Sequence, residues 1–154
     1  MEDKINTDVL IVGAGPVGLF SVFELGQLGI KSCVIDSLDI IGGQCSSLYP
    51  EKPIYDIPAY PKISGQSLID KISTQIKPFN PTYILGEKVE SISDINDEFI
   101  VSTSNNKTIS CKCIFIAAGN GAFGPNKPPI LNIEEYEDKS IFYHIKDKSI
   151  FKKK

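Results

Sequence analysis

The chain has 154 residues, 42% of them hydrophobic and 23% charged, which suits a soluble globular domain with a proper core, or a piece of a larger protein. Sixteen basic residues against 19 acidic ones give a net charge of −3, which excludes the bulk basic footprint of a nucleic-acid binder. No apolar run is long enough to span a bilayer, and the acidic start Met1-Glu2-Asp3-Lys4 has no hydrophobic signal stretch, so the expected compartment is the cytoplasm.

Residues 7–36 read as strand, turn, helix and strand. Val9-Leu10-Ile11-Val12 is a continuous apolar run, the pattern of a central parallel strand buried on both faces. Gly13-Ala14-Gly15-Pro16-Val17-Gly18 follows. Val17, Phe20, Leu25 and Leu28 then recur at helical spacing, thickened by Val22 and Phe23, and Gly29 is the helix stop. Cys33-Val34-Ile35 forms a second short strand that ends at Asp36.

Residues 38–63 break the pattern. They hold Gly42-Gly43, Pro50, Pro53, Pro58 and Pro61, with Tyr49, Tyr55 and Tyr60 among them, a stretch too long for a simple connection and therefore functional. Ser64 is read as the cap of a helix carrying Leu68, Ile69, Ile72 and Ile76, ended by Pro78 and Pro81. Short strands are expected at residues 83–85 and 88–92. Two more, at 99–103 and 108–110, flank a hairpin-like turn at Asn105-Asn106. Residues 113–117 form a further buried strand running into Gly119-Asn120-Gly121. Pro125, Pro128, Pro129 and a mixed tail follow, and no internal repeat is present. The final Phe151-Lys152-Lys153-Lys154 is too short for a nucleic-acid or membrane patch.

A glycine fingerprint alone is weak. Here it follows a strand, opens a helix and precedes an acidic residue 18 positions after its last glycine, which is the full context of a dinucleotide site. Gly13 permits the tight turn, Gly15 lets the backbone approach a pyrophosphate, and Gly18 lets helix and strand pack closely. The helix N-terminus then offers N–H groups and the positive end of its dipole to the diphosphate. Asp36 is placed to accept hydrogen bonds from the adenosine ribose. A carboxylate there repels a 2′-phosphate. All sixteen basic residues are lysine, so no arginine fork is available to attract one. The ligand is therefore FAD or NAD rather than NADP. The Gly42-Gly43-Gln44 loop lets a backbone pass near a ligand, and Tyr49 offers a ring for stacking.

The four cysteines and the single His144 do not form a metal-ligand pattern, and no metal is expected. Cys111 and Cys113 are placed two apart on one face of a strand, as packing residues. No side chain is assigned a catalytic role. His144 is read as an ordinary surface or connector residue.

Several blocks together resemble the thioredoxin-reductase-like type of ferredoxin–NADP(H) reductase. They are Val12-Gly13-Ala14-Gly15-Pro16-Val17-Gly18-Leu19-Phe20, Gly42-Gly43-Gln44, Leu48-Tyr49-Pro50-Glu51-Lys52-Pro53-Ile54-Tyr55-Asp56-Ile57-Pro58 and Ala117-Ala118-Gly119-Asn120-Gly121-Ala122-Phe123. The resemblance implies an α/β fold: a Rossmann-like FAD-binding βαβ domain of the two-dinucleotide-binding flavoprotein type, present here incompletely. It implies FAD contacts at Gly13, Gly15, Gly18, Asp36, Gln44, Tyr49, Val89 and Phe123. Val89 would meet the adenine side through its backbone, with Tyr49 and Phe123 nearer the flavin. It also implies NADPH as reductant, ferredoxin as partner and a homodimer.

The family's second glycine fingerprint, for NADPH, is not found in these residues. Residues 1–117 are accordingly read as the first segment of an FAD-binding domain, and 118–154 as a connector toward an NADPH-binding domain. A sheet without its closing elements leaves apolar edges uncovered, so the chain alone is expected to be marginally stable and prone to associate. Two other readings stay open: a non-catalytic FAD- or ADP-binding remnant, and a thioredoxin reductase when complete. At Cys45 a redox disulfide of the Cys-x4-Cys kind is not possible, because the partner position is Pro50.

Overall fold

In the computed structural model, which describes residues 4–124, 127–137 and 139–143, the chain divides into two compact units, Met1–Ala122 and Phe123–Lys154. His144 and the lysine-rich end lie outside the described residues, as does Pro125.

The first unit is built on strand β2 (Val9–Val12). Its neighbours in one parallel sheet are β3 (Ser32–Asp36) on one side and β10 (Cys113–Ile116) on the other, with β6 (Thr82–Leu85) beyond β3. Alternate residues of a strand face opposite ways, and both faces of this sheet are covered. Val9 and Ile11 of β2 and Val34 of β3 pack with Leu19, Val22, Leu25, Ile69 and Ile76 from two helices, α1 (Pro16–Gln27) and α3 (Gly65–Ile76). Leu10, Cys33 and Ile35 face the other way, onto Val101, Ile109 and Cys111. Those three belong to a second sheet in the order β1-β9-β8-β7, made of β1 (Lys4–Asn6), β9 (Thr108–Cys111), β8 (Glu98–Thr103) and β7 (Val89–Ile95). The uninterrupted apolar runs of β2 and β3 are thus explained by a helical layer below and a sheet above.

Helix α1 presents a different stripe from the one expected. Gly18, Leu19, Val22 and Leu25 are buried, whereas Val17 and Leu28 stand in solvent and Phe20 is half-exposed. The reason is Gly18. A side chain there would collide with the Gly13 carbonyl, so this is the position where the helix touches the turn. Positions 22 and 25 then follow it inward at helical steps.

The expected face shared by Cys111 and Cys113 is also corrected. Cys111 ends β9 in the second sheet and Cys113 opens β10 in the parallel sheet. Between them the Lys112 and Cys113 amides donate to the Asp8 carbonyl at 3.0 and 3.3 Å. The chain changes sheets at Lys112, so the two thiols lie in different cores. β10 is the edge of its sheet, pairing only with β2 among the described strands, and its Ile116 is 76% exposed.

Three hairpins complete the unit, and the one between β8 and β9 turns at the expected Asn105-Asn106. Asn96 and Asp97 both take positive φ (53° and 63°), the conformation of a two-residue type I′ turn between β7 and β8. β4 (Pro53–Ile54) and β5 (Ile63–Ser64) pair antiparallel inside the long loop. Ser64 caps α3 as its sequence position implies, its hydroxyl accepting the Ser67 amide at 3.2 Å. In the second unit Ile133 is buried within a short 3-10 turn, and the Lys127 ammonium and Tyr143 hydroxyl both bind the Glu137 carboxylate.

Candidate functional site

The carboxyl ends of β2, β3, β6 and β10 lie along one edge of the parallel sheet, and the chain leaves each of them in a glycine-bearing loop or at Asp36. Ligands of open α/β sheets bind outside this edge.

The turn after β2 is fixed from three sides. The Gly13 amide donates to the Ile35 carbonyl at 2.8 Å, and the Ala117 amide to that of Val12 at 2.8 Å. The Ala14 amide donates to Asp36 Oδ2 at 2.6 Å. Gly13 has φ of +111°, and a Cβ on it would collide with the Ala117 carbonyl. Both Gly13 and Gly18 are therefore demanded by the packing of the chain itself. Gly15 is not. A Cβ there meets nothing within 4 Å, and its φ is negative. The open face of Gly15 is where a ligand's backbone approach would be blocked by a side chain. Gly15 also caps α1 without a side-chain hydrogen bond, Pro16 follows, and no acidic residue stands in the first turn. The first turn of this helix thus carries neither a side-chain cap nor an acidic side chain of its own, which leaves its N–H groups open to an anion.

Asp36 does more than the sequence suggested. Its second oxygen accepts the Leu38 amide at 2.9 Å, so one carboxylate ties the end of β3 to the fingerprint turn and to its own loop. Each oxygen retains a lone pair for a further donor.

The long loop folds back on the turn. The Gly42 amide donates to the Ala14 carbonyl at 2.8 Å, and Gly42 and Gly43 both take positive φ. A Cβ on Gly43 would sit 3.1 Å from the Gly15 Cα. Helix α2 (Gln44–Ser47) follows directly. The Gln44 side-chain nitrogen faces Gly119, lying 3.7 Å from where a Cβ would be, and Gln44 Oε1 accepts from the Tyr49 hydroxyl at 3.4 Å. The Lys52 ammonium stands over the Tyr49 ring, 5.4 Å from its centroid. Burial, followed by the neighbouring Cys45, pushes the Tyr49 phenol up, so it is a donor at neutral pH. The loop is held from beneath: the Gly65 amide donates to Lys52 O at 3.1 Å, and a Cβ on Gly65 would lie 2.8 Å from Tyr49 O.

Val89 begins β7, half-buried against the core shared with Ile35 and Ile84. The link before it crosses the end of β3: the Glu87 amide donates to Asp36 O at 3.0 Å and the Gly86 amide to Leu38 O at 2.8 Å. The structure therefore brings Gly13, Gly15, Gly18, Asp36, Gln44, Tyr49 and Val89 to one edge of the first unit. Phe123 opens the second unit. Gly42, Gly43 and Gly119 also shape this edge. Their glycine pairs were visible in the sequence, whereas the part played by the Ala14 amide had no signal there.

Three of the four cysteines, Cys33, Cys45 and Cys111, are buried. Burial, and then the proximity of Cys111, pushes the Cys33 thiol up to about 11, and burial raises Cys45 and Cys111 too. No group of three or more His, Cys, Asp or Glu side chains able to hold a metal occurs among the described residues.

Comparison with known proteins agrees with this geometry. The family model described as pyridine nucleotide-disulphide oxidoreductase matches residues 7–154. A protein of Anaplasma phagocytophilum (strain HZ) named ferredoxin–NADP reductase is 56% identical over 154 residues, covering 100% of this chain and 46% of its own length. One of the same name from Rickettsia conorii is 58% identical over 146 residues, covering 95% and 43%. The chain thus spans less than half the length of the curated relatives it matches. Among solved structures, thioredoxin reductase from Streptococcus pyogenes superposes with a TM-score of 0.65 at 24% identity, over 85% of this chain and 40% of that one. Thioredoxin reductase from Lactococcus lactis gives 0.64 at 25% identity, over 84% and 40%. These likenesses fix the fold.

Proposed function

The chain belongs to the pyridine nucleotide-disulphide oxidoreductase family, and from that premise we propose that it is the FAD-binding part of a ferredoxin–NADP reductase. The observation that carries the reading is the open face of Gly15 beside an uncapped helix end, in a turn whose other glycines are already accounted for by packing.

The residues present fit FAD. Gly15 and the start of α1 receive the pyrophosphate. Asp36, its oxygens half-used, accepts the ribose hydroxyls and repels a 2′-phosphate, which disfavours NADP at this end. Val89 lies on the adenine side. Gln44 is a further contact, and Tyr49 lies toward the flavin as a neutral hydrogen-bond donor and stacking surface. Bound FAD supplies acceptance of a hydride from NADPH and release of single electrons to an iron–sulfur partner, here ferredoxin. The chain's own residues bind and orient, and none need act as nucleophile or base. NADPH binding, a homodimeric assembly and a cytoplasmic location complete the proposal. The name shared by relatives at 56% and 58% identity supports the ferredoxin and NADP(H) parts of it. No helix among the described residues is long and apolar enough to cross a membrane.

The test is to supply the purified protein with FAD and NADPH under anaerobic conditions and follow reduction of ferredoxin, with thioredoxin as the competing acceptor. Reduction of ferredoxin supports the proposal. Reduction of thioredoxin alone moves the protein to the other branch of its structural neighbours. FAD held without transfer to either assigns a binding role only, the second reading.

A further inference from the structure

We propose that Glu87, a residue outside the cofactor contacts, is a positioning residue that sets the adenosine end of the dinucleotide site through the link between β6 and β7. The inference rests on the dinucleotide reading above.

Glu87 is the one acidic side chain among the described residues that is almost fully buried, its side chain 4% exposed. A carboxylate in that position is costly unless it is paired and hydrogen-bonded. Here it is both. The Thr103 hydroxyl donates to Oε2 at 2.6 Å and the Lys107 ammonium to Oε1 at 2.5 Å. The Thr103 hydroxyl in turn accepts the Lys107 amide at 3.2 Å. The same link is stitched to β8 by its backbone: the Ser104 amide donates to Lys88 O at 2.9 Å, and the Lys88 amide to the Ser104 hydroxyl at 3.1 Å.

The other side of the link lies along the site. The Glu87 and Gly86 amides donate to the carbonyls of Asp36 and Leu38, the residues whose side chain and amide form the carboxylate clamp on the fingerprint turn. Val89 follows two residues later. Three residues, 86–88, thus bridge the second sheet to the carboxyl end of β3. Their only deeply buried anchor on the sheet side is the Glu87 carboxylate. Spending a buried charge there is explained if the height of the link over Asp36 matters. Releasing the carboxylate frees the link, and with it the placement of Asp36 and Val89 around adenosine and ribose.

The experiment measures equilibrium binding of ADP and of FAD to the unaltered chain and to Thr103→Val, Thr103→Ser and Glu87→Gln, each well below its own melting temperature so that unfolding does not contribute. Thr103→Val keeps the shape and β-branching of the residue and deletes the donor. Thr103→Ser restores the donor. The expected result is that Thr103→Val and Glu87→Gln weaken ADP about tenfold, the loss of a hydrogen bond to a charged group. FAD weakens by the same factor, because only the adenosine half is affected, and Thr103→Ser binds as the unaltered chain does. A purely structural role would lower the melting temperature and leave both affinities unchanged, which overturns the inference. A loss much larger for FAD than for ADP also overturns it, because it would place the effect at the flavin. Failure of the unaltered chain to bind ADP overturns the dinucleotide reading itself.

Discussion

The Asp36 carboxylate reaches back across the sheet edge to accept the Ala14 amide at 2.6 Å, although the two residues are 22 apart in sequence. The residue proposed to read the ribose therefore also holds the turn proposed to receive the pyrophosphate. Replacing it should damage both. Asp36→Ala leaves the Ala14 and Leu38 amides without their acceptor and should destabilise the chain by about 2–3 kcal/mol. FAD affinity, measured at a temperature where the variant is folded, should fall at least about tenfold. Urea denaturation and flavin titration check the two effects separately.

The three fingerprint glycines should separate in their effects. Gly15→Ala meets no atom and keeps a negative φ, so stability should hold or rise by about 0.4–1 kcal/mol while FAD binding is lost. Gly13→Ala and Gly18→Ala instead drive a methyl into backbone carbonyls, and should destabilise by about 1–3 kcal/mol or more. A Gly15→Ala variant that still binds FAD tightly would contradict the placement of the pyrophosphate.

Acid should act through Glu87. Burial raises its carboxyl, but the hydrogen bonds from Lys107 and Thr103, the Lys107 charge and the Asn105 side chain outweigh this and leave it below the ordinary value. A depressed folded-state value means that its contribution is fully present above the unfolded value of about 4.3, and is lost as pH falls below that toward the folded value. The urea midpoint of the unaltered chain should therefore fall more steeply below about pH 4.3 than that of Glu87→Gln. Parallel curves would show that the pair contributes nothing.

Thiol reactivity should follow burial. Cys33, pushed up to about 11 by burial and then by nearby Cys111, stays protonated at neutral pH, and Cys45 and Cys111 are raised as well. Cys113 is the one cysteine that is only half-buried. In the native chain iodoacetamide should label Cys113 first, with the other three reacting only on unfolding. Fast labelling of Cys45 would indicate that the Gly42-Gly43 loop opens.

Much of this was legible from residues alone. The strand–turn–helix order, the roles of Gly13 and Gly18, and the cap at Ser64 each rest on local chemistry that the sequence states directly. What escaped was set by long-range contact. The stripe of α1 is chosen by the collision at Gly18 rather than by the count of apolar residues, so Val17 and Leu28 face water. Lys112 reads as an ordinary strand residue, yet there the chain leaves one sheet for another. β1 is three polar-flanked residues whose only reason to be a strand is β9 beside it. Glu87 falls between the strands expected at 83–85 and 88–92, and only the fold brings Thr103 and Lys107 onto it.

The most direct measurement is the visible absorption spectrum of the purified chain after incubation with FAD and desalting. A retained flavin spectrum at about one FAD per chain, lost in Gly15→Ala, is the predicted result. A folded chain that emerges colourless would contradict the assignment of this sheet edge as an FAD site.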